Sequence, residues 1–92
     1  MGEENEAELL YFYGRDCGAC KIIAPLLDRL EREFGIKVER LEVWNEPNNR
    51  ALMLKYGEGK CISVPFLYNR ETGDYICGEA DYVRVKKWAG VE

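Results

Sequence analysis

Histidine is absent from this 92-residue chain. That absence removes Cys–His nucleophilic pairs, histidine general bases and histidine-ligated metal centres together. Any metal would have to be held by cysteine or carboxylate. Also missing is an apolar run long enough to cross a bilayer. The opening Met1-Gly2-Glu3-Glu4-Asn5-Glu6 is acidic rather than basic-then-apolar, so neither a membrane span nor a secretory leader is expected. A positive stripe is lacking as well. Thirteen Lys and Arg stand against seventeen Asp and Glu, a formal net charge of −4, and the bases are interleaved with acids, as in Glu31-Arg32-Glu33. Nothing of that kind neutralises phosphates, so nucleic acid is not an expected partner. The length suits one domain, expected over 8–92 behind a solvated acidic tail at 1–7.

What the chain does have is four cysteines. Without a secretory leader they argue against a structural disulfide framework and for catalytic or metal-binding thiols in a reducing cytoplasm. Cys17 and Cys20 enclose Gly18-Ala19 where a strand-like run, Leu9-Leu10-Tyr11-Phe12-Tyr13, gives way to a helical pattern. A thiol at a helix's first turn faces unpaired N–H groups and the positive end of the helix dipole, and both favour thiolate. Thiolate is the nucleophile of disulfide exchange. Cys17 is therefore the candidate reactive sulfur, open to solvent, with Cys20 one turn on, more buried and within reach to close a disulfide. Arg15 acts to lower the Cys17 pKa and Asp16 to raise it.

Element order follows from periodicity. Leu9–Tyr13 reads as a buried strand. Ile22, Ile23, Leu26, Leu27, Leu30 and Phe34 recur at helical spacing opposite Asp28, Arg29, Glu31 and Arg32, so Lys21–Phe34 is an amphipathic helix, kinked at Pro25 and stopped by Gly35. Ile36–Trp44 reads as a second strand. Pro47 opens a helix through Tyr56, and Gly57-Glu58-Gly59-Lys60 closes it. Phe66-Leu67-Tyr68 and Asp74-Tyr75-Ile76-Cys77 form a hairpin about Asn69–Gly73. Gly78 breaks the second arm, and Ala80–Ala89 is a last helix capped by Asp81. The fold class is α/β, β-α-β-α-β-β-α, with a right-handed crossover joining the first two strands and three helices flanking a four-stranded mixed sheet.

Cys17-Gly18-Ala19-Cys20-Lys21-Ile22-Ile23-Ala24-Pro25 resembles the active-site segment of thioredoxins. Tyr56-Gly57 followed by Val64-Pro65 resembles the approach to that family's cis-proline, and Gly78 falls where a glycine follows the hairpin. Together these cover nearly all of residues 8–90 as a minimal thioredoxin fold, without the strand and helix that precede the core in full-length members. Ser63-Val64-Pro65 and Gly78-Glu79-Ala80-Asp81 are similar instead to glutaredoxin segments that hold glutathione. Three positions depart from the thioredoxin pattern. Asp16 stands for the usual tryptophan, Tyr11 for the buried acid, and Phe66 for the small polar residue after the cis-proline.

The resemblance implies a protein-disulfide reductase or exchange enzyme with Cys17 and Cys20 as catalytic residues. Gly18, Ala19, Val64, Pro65 and Gly78 would line the substrate site. Its partners would be disulfide-containing proteins and an electron donor, either a reductase or glutathione. A cytoplasmic monomer with no cofactor is the expectation. The alternatives are glutathione-linked, glutaredoxin-like activity, or a Cys-ligated metal or Fe–S centre on the same fold. Cys61 and Cys77 stay open among buried packing thiols, a second disulfide or auxiliary dithiol, and metal ligands. Tyr11, Tyr13, Trp44, Phe66 and Tyr68 read as core before groove lining, and Arg40 as a partner of Glu39 or Glu42.

Overall fold

The computed structural model describes residues 8–91; the acidic tail expected at 1–7 lies outside the described residues. Seven elements follow one another: β1 (Leu9–Tyr13), α1 (Gly18–Phe34), β2 (Val38–Glu42), α2 (Pro47–Gly57), β3 (Phe66–Asn69), β4 (Tyr75–Cys77) and α3 (Tyr82–Ala89). The sheet order is β2-β1-β3-β4. β1 pairs parallel with β2 and antiparallel with β3, and β3 and β4 form the hairpin. This is the expected minimal thioredoxin order.

The continuous apolar run of β1 is explained by its place. It is an inner strand, so side chains pointing either way are covered. Leu9 and Tyr11 join one buried cluster with α1 and α3 residues; Leu10 and Phe12 join the other with Met53 of α2. On α1, Cys20, Ile23, Leu27 and Leu30 are buried, the last three with no exposure. Burying each of those side chains stabilises the fold by about 1.5–3 kcal/mol. Ile22 and Phe34, counted with the apolar face by spacing, lie at its margin and stay 52% and 41% exposed. Pro25 sits on the exposed side of α1, and having no N–H it withholds one helical donor from the preceding turn. Gly35 ends the helix at φ 66° and donates its N–H to Glu31 O at 2.9 Å.

β1 has its expected bounds and β3 runs one residue further, whereas β2, β4 and the last helix are shorter than periodicity suggested: β2 begins at Val38, β4 at Tyr75 and α3 at Tyr82. Asp81 accounts for the latter, since its carboxylate accepts the Arg84 N–H at 3.0 Å from an extended N-cap position. Asn69 organises the hairpin connection. Its Oδ1 accepts the N–H groups of Glu71 (2.9 Å) and Thr72 (3.2 Å), while Nδ2 donates to Trp88 O at 2.8 Å. One buried amide thus shapes the turn and ties it to the end of α3.

Candidate active site

Cys17 is the N-cap of α1, with extended backbone at φ −84° and ψ 115°. Its Sγ accepts the Cys20 N–H at 3.1 Å, so the sulfur sits on the helix's unpaired donors. Cys17 and Cys20 are joined as a disulfide with Cα atoms 5.2 Å apart. The pair is more enclosed than expected. Cys17 is 8% exposed and Cys20 3%, and both belong to the α1/α3 cluster with Tyr11, Ile23 and Trp88. The expected order of exposure is kept, but the openly solvated sulfur is corrected to one that packs inward from its cap. Exposure at the site is carried by Gly18, whose Cβ position has no neighbour within 4 Å.

Tyr11 is 2% exposed, and its hydroxyl donates to Cys20 O at 2.8 Å. Burial pushes its pKa up to about 12; Arg40 pulls it down and Tyr13 adds to the rise. The phenol is therefore a protonated donor at ordinary pH and cannot act there as a proton acceptor. Arg40, beside Tyr11 in the strand register, does not pair with Glu39 or Glu42. It reaches α1, donating to Asp28 at 2.8 Å and Glu31 at 3.1 Å. The crossover brings that helix face over the strand.

Two further residues support the loop before Cys17. The Glu42 carboxylate accepts N–H groups from Arg15 (3.0 Å), Trp44 (3.2 Å) and Asn45 (2.8 Å). Partial burial pushes its pKa up, but the backbone donors and the Arg15 charge outweigh this and hold it below the usual carboxylate range. Its role was not read from sequence; an acid at a strand's end before a turn was the available signal. Trp44, expected in the core, is 50% exposed and lies over Gly14, where an added Cβ would overlap the indole ring. Any side chain at 14 would therefore have to push the half-exposed indole aside.

The Val64–Pro65 peptide is cis. Val64 packs against both buried clusters, so it touches the one that contains Cys17 and Cys20. Pro65 is buried, and its carbonyl accepts the Gly78 N–H at 2.9 Å. Gly78 has φ 100°, in the region that favours glycine. The structure thereby links Val64, Pro65 and Gly78 into one rim and brings Val64 to the cysteine cluster. An open groove of about 580 Å³ runs along Ile22, Leu26, Glu79, Ala80, Asp81 and Tyr82.

Cys61 and Cys77 form a second disulfide, with Cα atoms 5.6 Å apart. Cys61 belongs to the α2-side cluster, on the opposite face of the sheet from Cys17–Cys20. A four-cysteine metal or Fe–S centre needs its thiols in one place. Here they separate into two pairs, and among the described residues no group of three or more His, Cys, Asp or Glu comes together. No described helix is long and apolar enough to cross a membrane.

A CxxC disulfide capping the first helix of this sheet, with a cis-proline strand entry packed alongside, defines a thioredoxin-class protein. A family model described as "TraF: F plasmid transfer operon protein" matches residues 3–62. Thioredoxin of Haemophilus influenzae is 43% identical over 68 residues, covering 74% of this chain and 60% of that protein. The chloroplastic M-type thioredoxin of Pisum sativum is 35% identical over 72 residues, covering 76% and 40%. Among solved structures, the glutaredoxin of Archaeoglobus fulgidus superposes with TM-score 0.66 at 21% identity, over 96% of this chain and 97% of that one. The chain belongs to the thioredoxin superfamily and to the TraF family whose model it matches. It spans 40% and 60% of the lengths of the two curated relatives.

Proposed function

We propose that the chain is a thiol–disulfide oxidoreductase acting on protein disulfides through Cys17 and Cys20. The observation that carries this reading is Cys17 Sγ at the helix cap, bonded to Cys20 and accepting its N–H. In the reduced protein that donor and the helix dipole favour the Cys17 thiolate. The thiolate attacks one sulfur of the substrate; a mixed disulfide forms and the other substrate sulfur leaves as thiolate. Cys20 then loses its proton and attacks Cys17, which releases the second substrate thiol and leaves Cys17–Cys20 oxidised. Two electrons pass to the substrate. A thiol-based donor, either a reductase or glutathione, returns them.

Gly18 and Ala19 present the only backbone between the two sulfurs. Val64, Pro65 and Gly78 form the neighbouring rim, and the groove lined by Ile22 and Leu26 offers apolar ground to an extended substrate chain. Tyr11 takes no proton from Cys20 in this scheme; it steadies the first turn of α1 through the Cys20 carbonyl. The protein acts as a cytoplasmic monomer, where a reducing pool resets the dithiol between turnovers.

A second reading, glutathione-linked turnover, is favoured by Asp81 and Ala80 lining the same groove beside Gly78. Insulin reduction with dithiothreitol tests the first reading. Wild type is expected to accelerate it and Cys17→Ser to return it to the uncatalysed background; equal rates would remove the proposal. Trapping with Cys20→Ser, which stalls the mixed disulfide, identifies whether proteins or glutathione are captured.

A further inference from the structure

Cys61 and Cys77 take no part in that scheme, yet their bond is markedly asymmetric. Cys61 is 5% exposed among Leu10, Phe12, Met53 and Phe66. Cys77 lies on β4, an edge strand, and is the one exposed cysteine of the four. Cys77 is thus the half of the bond that a thiolate arriving from solvent can approach, which makes Cys61 the sulfur that leaves. The leaving sulfur has a partner where it stands: Cys61 Sγ is 3.3 Å from Ser63 O, an acceptor for the thiol it becomes. The buried half of the bond is thus accommodated in both redox states.

The bond also holds a particular piece of chain. Residues 58–65, between α2 and β3, contain no helix or strand. The start of this segment is tied to α2 by the Lys60 and Cys61 N–H groups, which donate to Gly57 O at 2.7 and 2.8 Å. Beyond Cys61 the chain is lightly held, with Ile62 72% exposed. Val64 then packs on both clusters. On the other side of the bond, Cys77 pairs in register with Phe66, the residue after Pro65. The disulfide therefore straps the Ile62–Val64 stretch to the hairpin.

We propose that Cys61–Cys77 is a second exchangeable disulfide, opened by thiolates that attack Cys77, and that its opening loosens the Ile62–Val64 stretch. The first thiolate bonds to Cys77 Sγ while the Cys61–Cys77 bond breaks, and Cys61 leaves as thiolate and takes a proton from water. A second thiolate attacks the added sulfur and releases Cys77, yielding one small-molecule disulfide and two protein thiols. The inference does not depend on turnover at Cys17–Cys20, because that pair is read separately.

The test titrates the oxidised wild-type protein through buffers of reduced glutathione and glutathione disulfide. Samples are acid-quenched, alkylated and mapped cysteine by cysteine by mass spectrometry, with circular dichroism recorded alongside. Cys61 and Cys77 are expected to become alkylated together while the spectrum stays native. Early samples should carry glutathione mainly on Cys77 rather than on Cys61. A pair that stays oxidised until denaturant is added, or adducts that favour Cys61, overturns the proposal. In a Cys17→Ser, Cys20→Ser variant only the second pair can change. There, reduction should speed amide hydrogen exchange severalfold at Cys61 and Gly78, whose N–H groups donate to Gly57 O and Pro65 O at the two ends of the stretch, and leave α1 unaltered; equal exchange overturns the loosening.

Discussion

The two faces of the sheet each carry one disulfide, and the two are built on different terms. On the α1/α3 face, Cys17 and Cys20 are three residues apart and meet because a single helical turn brings them together. On the α2 face, Cys61 and Cys77 are sixteen apart and meet only once the hairpin and the loop after α2 are in place. The first bond constrains little chain; its surroundings are arranged to make one sulfur reactive. The second closes a long loop, which in the chain-entropy account restricts the unfolded chain more strongly. A short link can be opened and closed at small cost to the fold, and so suits turnover.

The largest contrast lies in activity. Cys17→Ser is expected to abolish insulin reduction, whereas a Cys61→Ser, Cys77→Ser protein should still reduce insulin; loss of activity in both would erase the distinction between the faces. Stability should separate them the other way. Relative to oxidised wild type, that double variant is expected to lose about 3 kcal/mol in denaturant unfolding, the value for closing a loop of this length. A loss no greater than that of Cys17→Ser, Cys20→Ser would break the comparison.

Within the α1/α3 face, Asn69→Ala leaves two backbone N–H groups and the Trp88 carbonyl without their partner. It should cost about 1–3 kcal/mol by the same measurement. Tyr11→Phe is smaller at neutral pH, about 1 kcal/mol for one hydrogen bond, and has a signature in alkali. The folded pKa of about 12 lies above the ordinary value of 10.0. The proton is thus held more tightly in the folded protein, so its stabilising effect is complete below about pH 10 and is lost as pH rises towards about 12. The Tyr11→Phe variant should lack that part of the alkaline decline. Smallest is Glu42→Gln. Glu42 is held below its ordinary 4.5, so its contribution is present above that pH and fades as pH falls through the lowered value. The variant should show a shallower acid decline between about pH 5 and the acid transition, followed by circular dichroism.

The same contrast explains what could be read from the residues alone. Strand β1, the amphipathic α1 and the Cys17 cap are local features, set by runs and spacings within a few residues, and they lay where expected. The partner of Cys61 was not local. It depends on how the loop after α2, which carries Cys61, lies against the hairpin that carries Cys77, and no spacing within a few residues sets that placement. From sequence Arg40 reads as a partner of Glu39 or Glu42 on its own strand; the crossover instead lays Asp28 and Glu31 over it. Trp44 reads from sequence as core before groove lining, but its indole lies over Gly14 with half of the residue exposed. Long-range geometry decided each of these.

Gly18 has a consequence for how this molecule can be varied. The direction its side chain would take is empty, and it begins a helix, where glycine costs more backbone freedom than most residues. A Cβ can therefore be added between the two sulfurs with no rearrangement of the scaffold. The position is a dial for tuning thiol chemistry, mounted outside the machinery that keeps the protein folded.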